Sequence, residues 1–257
     1  MTTLVLELRK LRRTRFWLMA AGACAFQVTW LLGAAVMRST GTPESRLAGL
    51  SLIELVSMAA LVSPLVAALL ASRLVTVDTE ERMGQLMTAL GQRASARWWG
   101  KVVVGSAAVV LIQLVDAAVL GLVAPELGLR LSPGYETGLL PTAVVLTCAA
   151  IGVVALQVTL STVVDRQAIS LVVASLATLA CSSLPYLGLG GLGWFLPWGL
   201  VGAASPVDVV ASRDSVAAGG DIALAASPWT RVLLAAAVTA VWVVLARTVV
   251  SWKEHRS

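Results

Sequence analysis

Residues Leu52 to Val75 read LIELVSMAALVSPLVAALLASRLV, and this stretch decides the fold. As a helix rising about 1.5 Å per residue it would be roughly 36 Å long, more than the ~30 Å hydrocarbon core of a bilayer. Its charged residues, Glu54 and Arg73, stand near its two ends, where polar surroundings are within reach. The apolar positions run on without the alternation that a barrel strand requires. In lipid, where no water satisfies the backbone, a helix is the structure left for such a segment.

Working outward, runs of similar length occur at Phe16 to Met37, Val102 to Ala124, Gly138 to Leu160, Ala168 to Leu187 and Val232 to Val250. The chain is therefore expected to be all-α, a polytopic membrane protein with six transmembrane helices. Composition agrees: of 257 residues 58% are hydrophobic and only 13% charged, which excludes a water-soluble globule. Six spans and their connections fill the length, so residues 1–257 are read as one transmembrane domain. No repeat period is visible that would indicate a solenoid.

The net charge of +5 could suit nucleic acid, but the cations border the apolar runs, where they report topology. With the N-terminus inside, the cytoplasmic side holds Arg9, Lys10, Arg12, Arg13, Arg15, Arg73, Arg82, Arg93, Arg97, Lys101, Arg166, Arg247, Lys253 and Arg256. Only Arg38, Arg46, Arg130, Arg213 and Arg231 fall outside. The positive-inside rule then places both termini in the cytoplasm of a multi-pass cell-membrane protein and leaves no role for nucleic acid. The first run is too long for a signal-peptide core and is expected to stay uncleaved.

Ahead of that run, Leu4, Leu8 and Leu11 share one helical face while Glu7, Arg9, Lys10, Arg12 and Arg13 fill the others. Residues 1–15 thus read either as an interfacial amphipathic helix, its apolar stripe toward acyl chains and its cations toward lipid headgroups, or as no more than a topogenic flank of the first span. Residues 76–101 hold a second short helix. Asp78 can cap it, Glu81 can complete a capping box, and Met83, Leu86, Met87 and Leu90 recur at helical spacing before Gly91. Arg93, Arg97, Trp98, Trp99 and Lys101 follow, a grouping expected at a membrane surface. The apolar stripe is too small for a domain core, so it docks on lipid, on neighbouring helix ends or on another protein.

This layout resembles the ABC-2 type permeases of ABC transporters: a basic amphipathic N-terminal helix, two spans, the loop DTEERMGQLMTAL from Asp78 to Leu90, a positive segment with Arg93, Arg97 and Lys101, and four more spans. The resemblance implies that the short helix couples to a separate ATPase subunit through Asp78, Glu80, Glu81, Met83, Gly84, Leu86, Met87 and Leu90. The acidic residue, glycine and lysine that recur in that family's loop correspond to Glu80 or Glu81, Gly84 and Lys101; the family's proline after the helix is replaced by Gly91 and Gln92. It further implies a second permease subunit, identical or related, and export of a drug, an antimicrobial peptide or a lipid, functions tied to antibiotic resistance or self-protection.

Two further features concern a path across the membrane. Residues 188–228 form an outer segment rich in glycine, with Trp194, Pro197 and Trp198 suited to a turn at headgroup depth. It reads either as a re-entrant lid closing the outer gate or as an external loop with interfacial tryptophans. Inside the spans, Asp116 shares a helix face with Gln113, and Glu54 lies toward the same outer side. A carboxylate at that depth needs a partner, so the three residues either line a translocation path or serve as hydrogen-bonded packing groups.

Other chemistry lacks its residues. No GxxxxGK[ST] cradle occurs, because Gly100 and Lys101 are followed by Val102, so the chain has no nucleotide site of that kind and is read as a non-enzyme. The lone histidine, His255, and the scattered Cys24, Cys148 and Cys181 support no metal cage, disulfide framework or cofactor. Two rival readings stand beside the transporter: a membrane scaffold that uses the Met83 to Leu90 stripe to hold another protein, and an intramembrane enzyme built on Asp116 and Glu54.

Overall fold

The helices follow the apolar runs and overshoot most of them. The computed structural model describes residues 3–11, 14–42, 46–80, 94–164, 167–210 and 221–254. A short helix α1 (Thr3–Leu11) precedes α2 (Phe16–Ser39), α3 (Ala48–Glu80), α4 (Ala94–Glu126), α5 (Pro133–Val163) and α6 (Gln167–Ser183). Two 3-10 turns (Pro185–Leu187 and Gly190–Phe195) lead to the single turn α7 (Leu200–Ala203). Strands β1 (Val207–Val210) and β2 (Asp221–Leu224) and the last helix α8 (Pro228–Glu254) complete the chain. The all-α, polytopic reading holds: α2, α3, α4, α5 and α8 are each long and apolar enough to cross a membrane.

The fifth run departs from expectation. Its helix, α6, has 17 residues and stops at Ser183, not at Leu187. At ~1.5 Å per residue that is roughly 25 Å, less than a bilayer core. Pro185 has no N–H to continue the helical ladder, although Leu184 before it keeps helical backbone, and Gly188 turns the chain through a left-handed conformation at φ +72° that side-chain-bearing residues rarely adopt. The segment then returns into the bundle. Phe195 O accepts from Trp242 Nε1 at 3.2 Å, and Trp242 lies midway along α8. The backbone crosses itself closely there: a Cβ on Gly193 would stand 2.9 Å from Gly199 O, and one on Gly199 would stand 2.8 Å from Gly193 Cα.

Helix α5 is the hub, packed on α3, α4 and α8. Two apolar clusters stack along it. One gathers Leu31, Leu52, Leu55, Leu146 and Leu200; the other gathers Phe16, Leu70, Leu74, Val154 and Val158. Thr239 Oγ1 of α8 donates to Cys148 O at 2.9 Å between them.

The bundle has two distinct poles. At one, α1 meets the end of α3 and the start of α4, and Lys253 Nζ donates to Thr162 O and Val163 O at 3.0 and 3.2 Å. That ammonium satisfies carbonyls that the end of α5 leaves without helical partners. At the other pole Arg38 of α2 binds Glu54 and Ser51 of α3, with 2.8 Å to the Ser51 hydroxyl. There β1 and β2 form an antiparallel ribbon, Val207 opposite Leu224 and Val210 opposite Asp221. Arg231 ties it to α8 through Asp208 at 3.1 Å and through Ser205 O.

Candidate functional site

Amphipathic α1 turns Glu7, Lys10 and Leu11 to the protein and Leu8 and Arg9 away from it. Leu8 is 46% exposed, whereas Glu7 is 3% exposed. Only Leu11 of the described leucine side chains enters the apolar core, beside Phe16. Between α1, α3 and α4 lie two carboxylates and two ammonium groups. Lys10 Nζ is 3.1 Å from Glu7 Oε1 and 2.9 Å from Asp78 Oδ1. Lys101 Nζ is 2.6 Å from Asp78 Oδ2 and 3.7 Å from Glu7 Oε2, and donates to Leu74 O at 2.8 Å. Each cation therefore touches both anions, and the formal charges cancel.

Removing four charges from water is expensive, and such a group persists only when every member is paired and hydrogen-bonded. Here that condition is met by alternating signs. Burial works against the Lys10 ammonium, but its hydrogen bond to Asp78 and the charges of Asp78 and Glu7 outweigh it and hold its pKa above the ordinary lysine value. The cluster joins the last turns of α3 to the first turns of α4, the two roots from which residues 81–93 emerge.

This arrangement corrects several sequence readings. Asp78 does not cap a new helix: α3 runs unbroken through it to Glu80, and its carboxylate is committed sideways to lysines. Lys101 is only 4% exposed and Trp98 only 2%, so both side chains face the protein interior and not lipid headgroups. Trp98 Nε1 donates to Thr159 Oγ1 at 2.9 Å, locking α4 to α5. Trp99 does face outward, with the Arg247 guanidinium 5.9 Å from its ring centroid, and Arg97 is half-buried on the same turn. Glu80 ends α3. Arg12, Arg13, Glu81, Met83, Gly84, Leu86, Met87, Leu90 and Arg93, with the helix expected over them, lie outside the described residues.

Sequence reasoning missed Glu7 and Lys10 as partners and placed both on the polar faces of an interfacial helix. The available signal was that Glu7 is the only acid in an otherwise basic stretch from Thr3 to Arg15.

A second polar group lies between α2 and α4. Gln113 Nε2 donates to Gln27 Oε1 at 3.1 Å, and Asp116, one turn along from Gln113, is 0% exposed. Neither oxygen of its carboxyl has a hydrogen-bond partner among the described residues. Gln113 and Asp116 thus stand one turn apart on α4, and Gln27, the one carboxamide in α2, reaches Gln113. Glu54 does not join them, since Arg38 holds it at the outer rim. An isolated charge in the bilayer interior costs roughly 2.5–3.5 kcal/mol on insertion scales.

The tryptophans of the 188–228 segment are half-buried against the bundle. Trp194 packs on the cluster of Leu52 and Leu146, Trp198 on the cluster of Leu70 and Val154, and Pro197 between them is buried. Tyr186, Leu187 and Phe195 of the adjoining turns point away from the bundle, fully or largely exposed. No group of acids, cysteines or histidines able to hold a metal ion occurs among the described residues.

Five long apolar helices with α5 as their hub, and a buried charge group at the roots of one connection, define a polytopic membrane protein whose elaborated end is the pole carrying α1. The chain belongs to the ABC-2 family transporter proteins, whose family description matches residues 3–181. It is accordingly a membrane-embedded permease subunit of an ABC transporter, of a family whose members work with an ABC ATPase and as oligomers. No curated protein matches the sequence.

Proposed function

We propose that the chain moves an amphiphilic cargo, a drug, an antimicrobial peptide or a lipid, out of the cytoplasm or the inner leaflet, driven by a separate ATPase that grips residues 78–90. The observation that carries this reading is the charge group of Glu7, Lys10, Asp78 and Lys101, which ties both roots of the 81–93 connection to each other and to α1. A push on that connection then moves α3 and α4 as one piece, and α3 and α4 both pack on α5. Transmission of this kind needs rigid elements with two arrangements that the motor biases. Both termini lie in the cytoplasm on this reading, because the pole with α1 also carries most of the lysines and arginines.

The path forms between two permease subunits, identical or related. The turns after α6 support this: they place non-helical backbone beside the middle of α8, with Tyr186, Leu187 and Phe195 facing outward. Irregular backbone at membrane depth is tolerated only where protein covers it or water reaches it. A second subunit supplies that cover, and the turns with Trp194, Pro197 and Trp198 act as the outer gate. An apolar surround of this kind suits amphiphilic cargo better than a sugar.

The test is co-expression with a candidate ABC ATPase. Changing Met83, Leu86, Met87 and Leu90 to serine or glutamine should abolish co-purification and ATP-driven transport while the permease still inserts. Unchanged assembly and transport would refute the assignment of these residues.

A further inference from the structure

Asp116 of α4 is sealed against α2 in the half of the bundle away from the charge group, and the hydrogen-bond inventory around it is unbalanced. Both of its oxygens and Gln113 Oε1 are acceptors without donors among the described residues, while Gln27 Nε2 is a donor without an acceptor. All three side chains are buried, so bulk water is not at hand to complete them.

The charged groups on the packed helices are committed elsewhere. On α3, Glu54 is held by Arg38 of α2. On α5, Tyr135 donates to Leu120 O, one turn beyond Asp116, at 3.0 Å. On α8, Arg231 is bound to Asp208 and Ser205 O. Lys10 and Glu7 of α1 and Lys101 of α4 belong to the charge group at the opposite pole. Cys24 of α2 stands one turn before Gln27. Among the described residues no cation is paired with the carboxyl.

We propose that Asp116 is a proton-binding site: in this packed arrangement its buried carboxyl, which has neither an N–H donor nor a cation on it among the described residues, carries a proton. One added proton removes the buried charge and turns one of the two surplus acceptors into a donor. A proton needs one oxygen, whereas a bound calcium ion takes about six to eight oxygen ligands, and no group able to hold a metal occurs among the described residues. Loss of the proton leaves an unpaired charge in the α2–α4 seam and favours an arrangement in which water enters it. The site is independent of what the permease carries.

The test is infrared spectroscopy of the full-length protein in lipid nanodiscs, with aspartate isotope-labelled at the side-chain carbonyl. The expected result is a protonated-carboxyl band at neutral pH that disappears in Asp116→Asn, with wild type losing thermal stability relative to that variant as pH is raised. Only ionised aspartate at neutral pH, or an acid band that survives in Asp116→Asn, would overturn the proposal. Should the variant fold poorly, titration of the labelled wild type decides: the absence of any acid aspartate band at neutral pH refutes the site without reference to transport.

Discussion

Lys101 Nζ of α4 lies 2.6 Å from Asp78 Oδ2 of α3, across the mouth of the connection that joins those two helices. Both side chains are largely withdrawn from solvent, so neither can lose its partner cheaply. Breaking a buried pair from one side costs about 3–5 kcal/mol, because the remaining charge stays buried. Lys101→Met should therefore fall at the low end of that range, since Lys10 still faces Asp78. The Asp78→Asn, Lys101→Met double variant should lose less than the two single variants together. Thermal unfolding of the purified variants reads this, and strict additivity would show that the pair does not interact.

Glu7 and Lys10 give a functional counterpart. If α1 braces the roots of the connection, Glu7→Gln should leave insertion and ATPase association intact but reduce transport per ATP hydrolysed. The ratio of transport to hydrolysis in proteoliposomes checks this. Proportional loss of both activities would point instead to plain destabilisation.

The pH dependence of Lys10 has a definite sign. Its pKa is raised in the folded protein, so its contribution is fully present below the ordinary lysine value of about 10.4 and is lost as pH climbs through the folded value. The stability difference between wild type and Lys10→Met should stay constant from neutral pH to that point and shrink above it. A difference that already shrinks near neutrality would contradict the geometry.

Gly193 and Gly199 cross at backbone contact, where a methyl group would meet a carbonyl oxygen or an α-carbon at under 3 Å. Gly199→Ala should thus disturb the turns after α6 more than Gly202→Ala, whose added methyl meets nothing within 4 Å. A shift of Trp194 and Trp198 fluorescence in the first variant and not the second is the expected readout.

Trp98 offers a milder case. Trp98→Phe keeps the ring's packing but removes the 2.9 Å bond to Thr159, leaving a hydroxyl that still donates to Ala155 O. A loss of about 1 kcal/mol is expected, the typical net contribution of one hydrogen bond. Thermal unfolding provides the check.

The spans were legible because a bilayer imposes a length and an apolar composition that few other structures share. Where a helix stops for local reasons the outline blurred: the fifth run continues in apolar residues to Leu187, but Pro185 and Gly188 end α6 at Ser183. The site was less legible. Gln113 and Asp116 could be paired from spacing within one helix, but their link to Gln27 crosses 86 residues of chain. Glu7 and Lys10 find Asp78 and Lys101 only after α1 folds back onto α3 and α4, a tertiary event that periodicity does not encode.

Lys10 and Lys101 also serve at two different moments. During insertion they are bare cations beside apolar segments and help to decide which way the chain threads. Once the helices have closed, both are neutralised inside the protein and present almost nothing to the headgroups. A membrane stripped of anionic lipid should accordingly disturb the biogenesis of this protein more than its finished form.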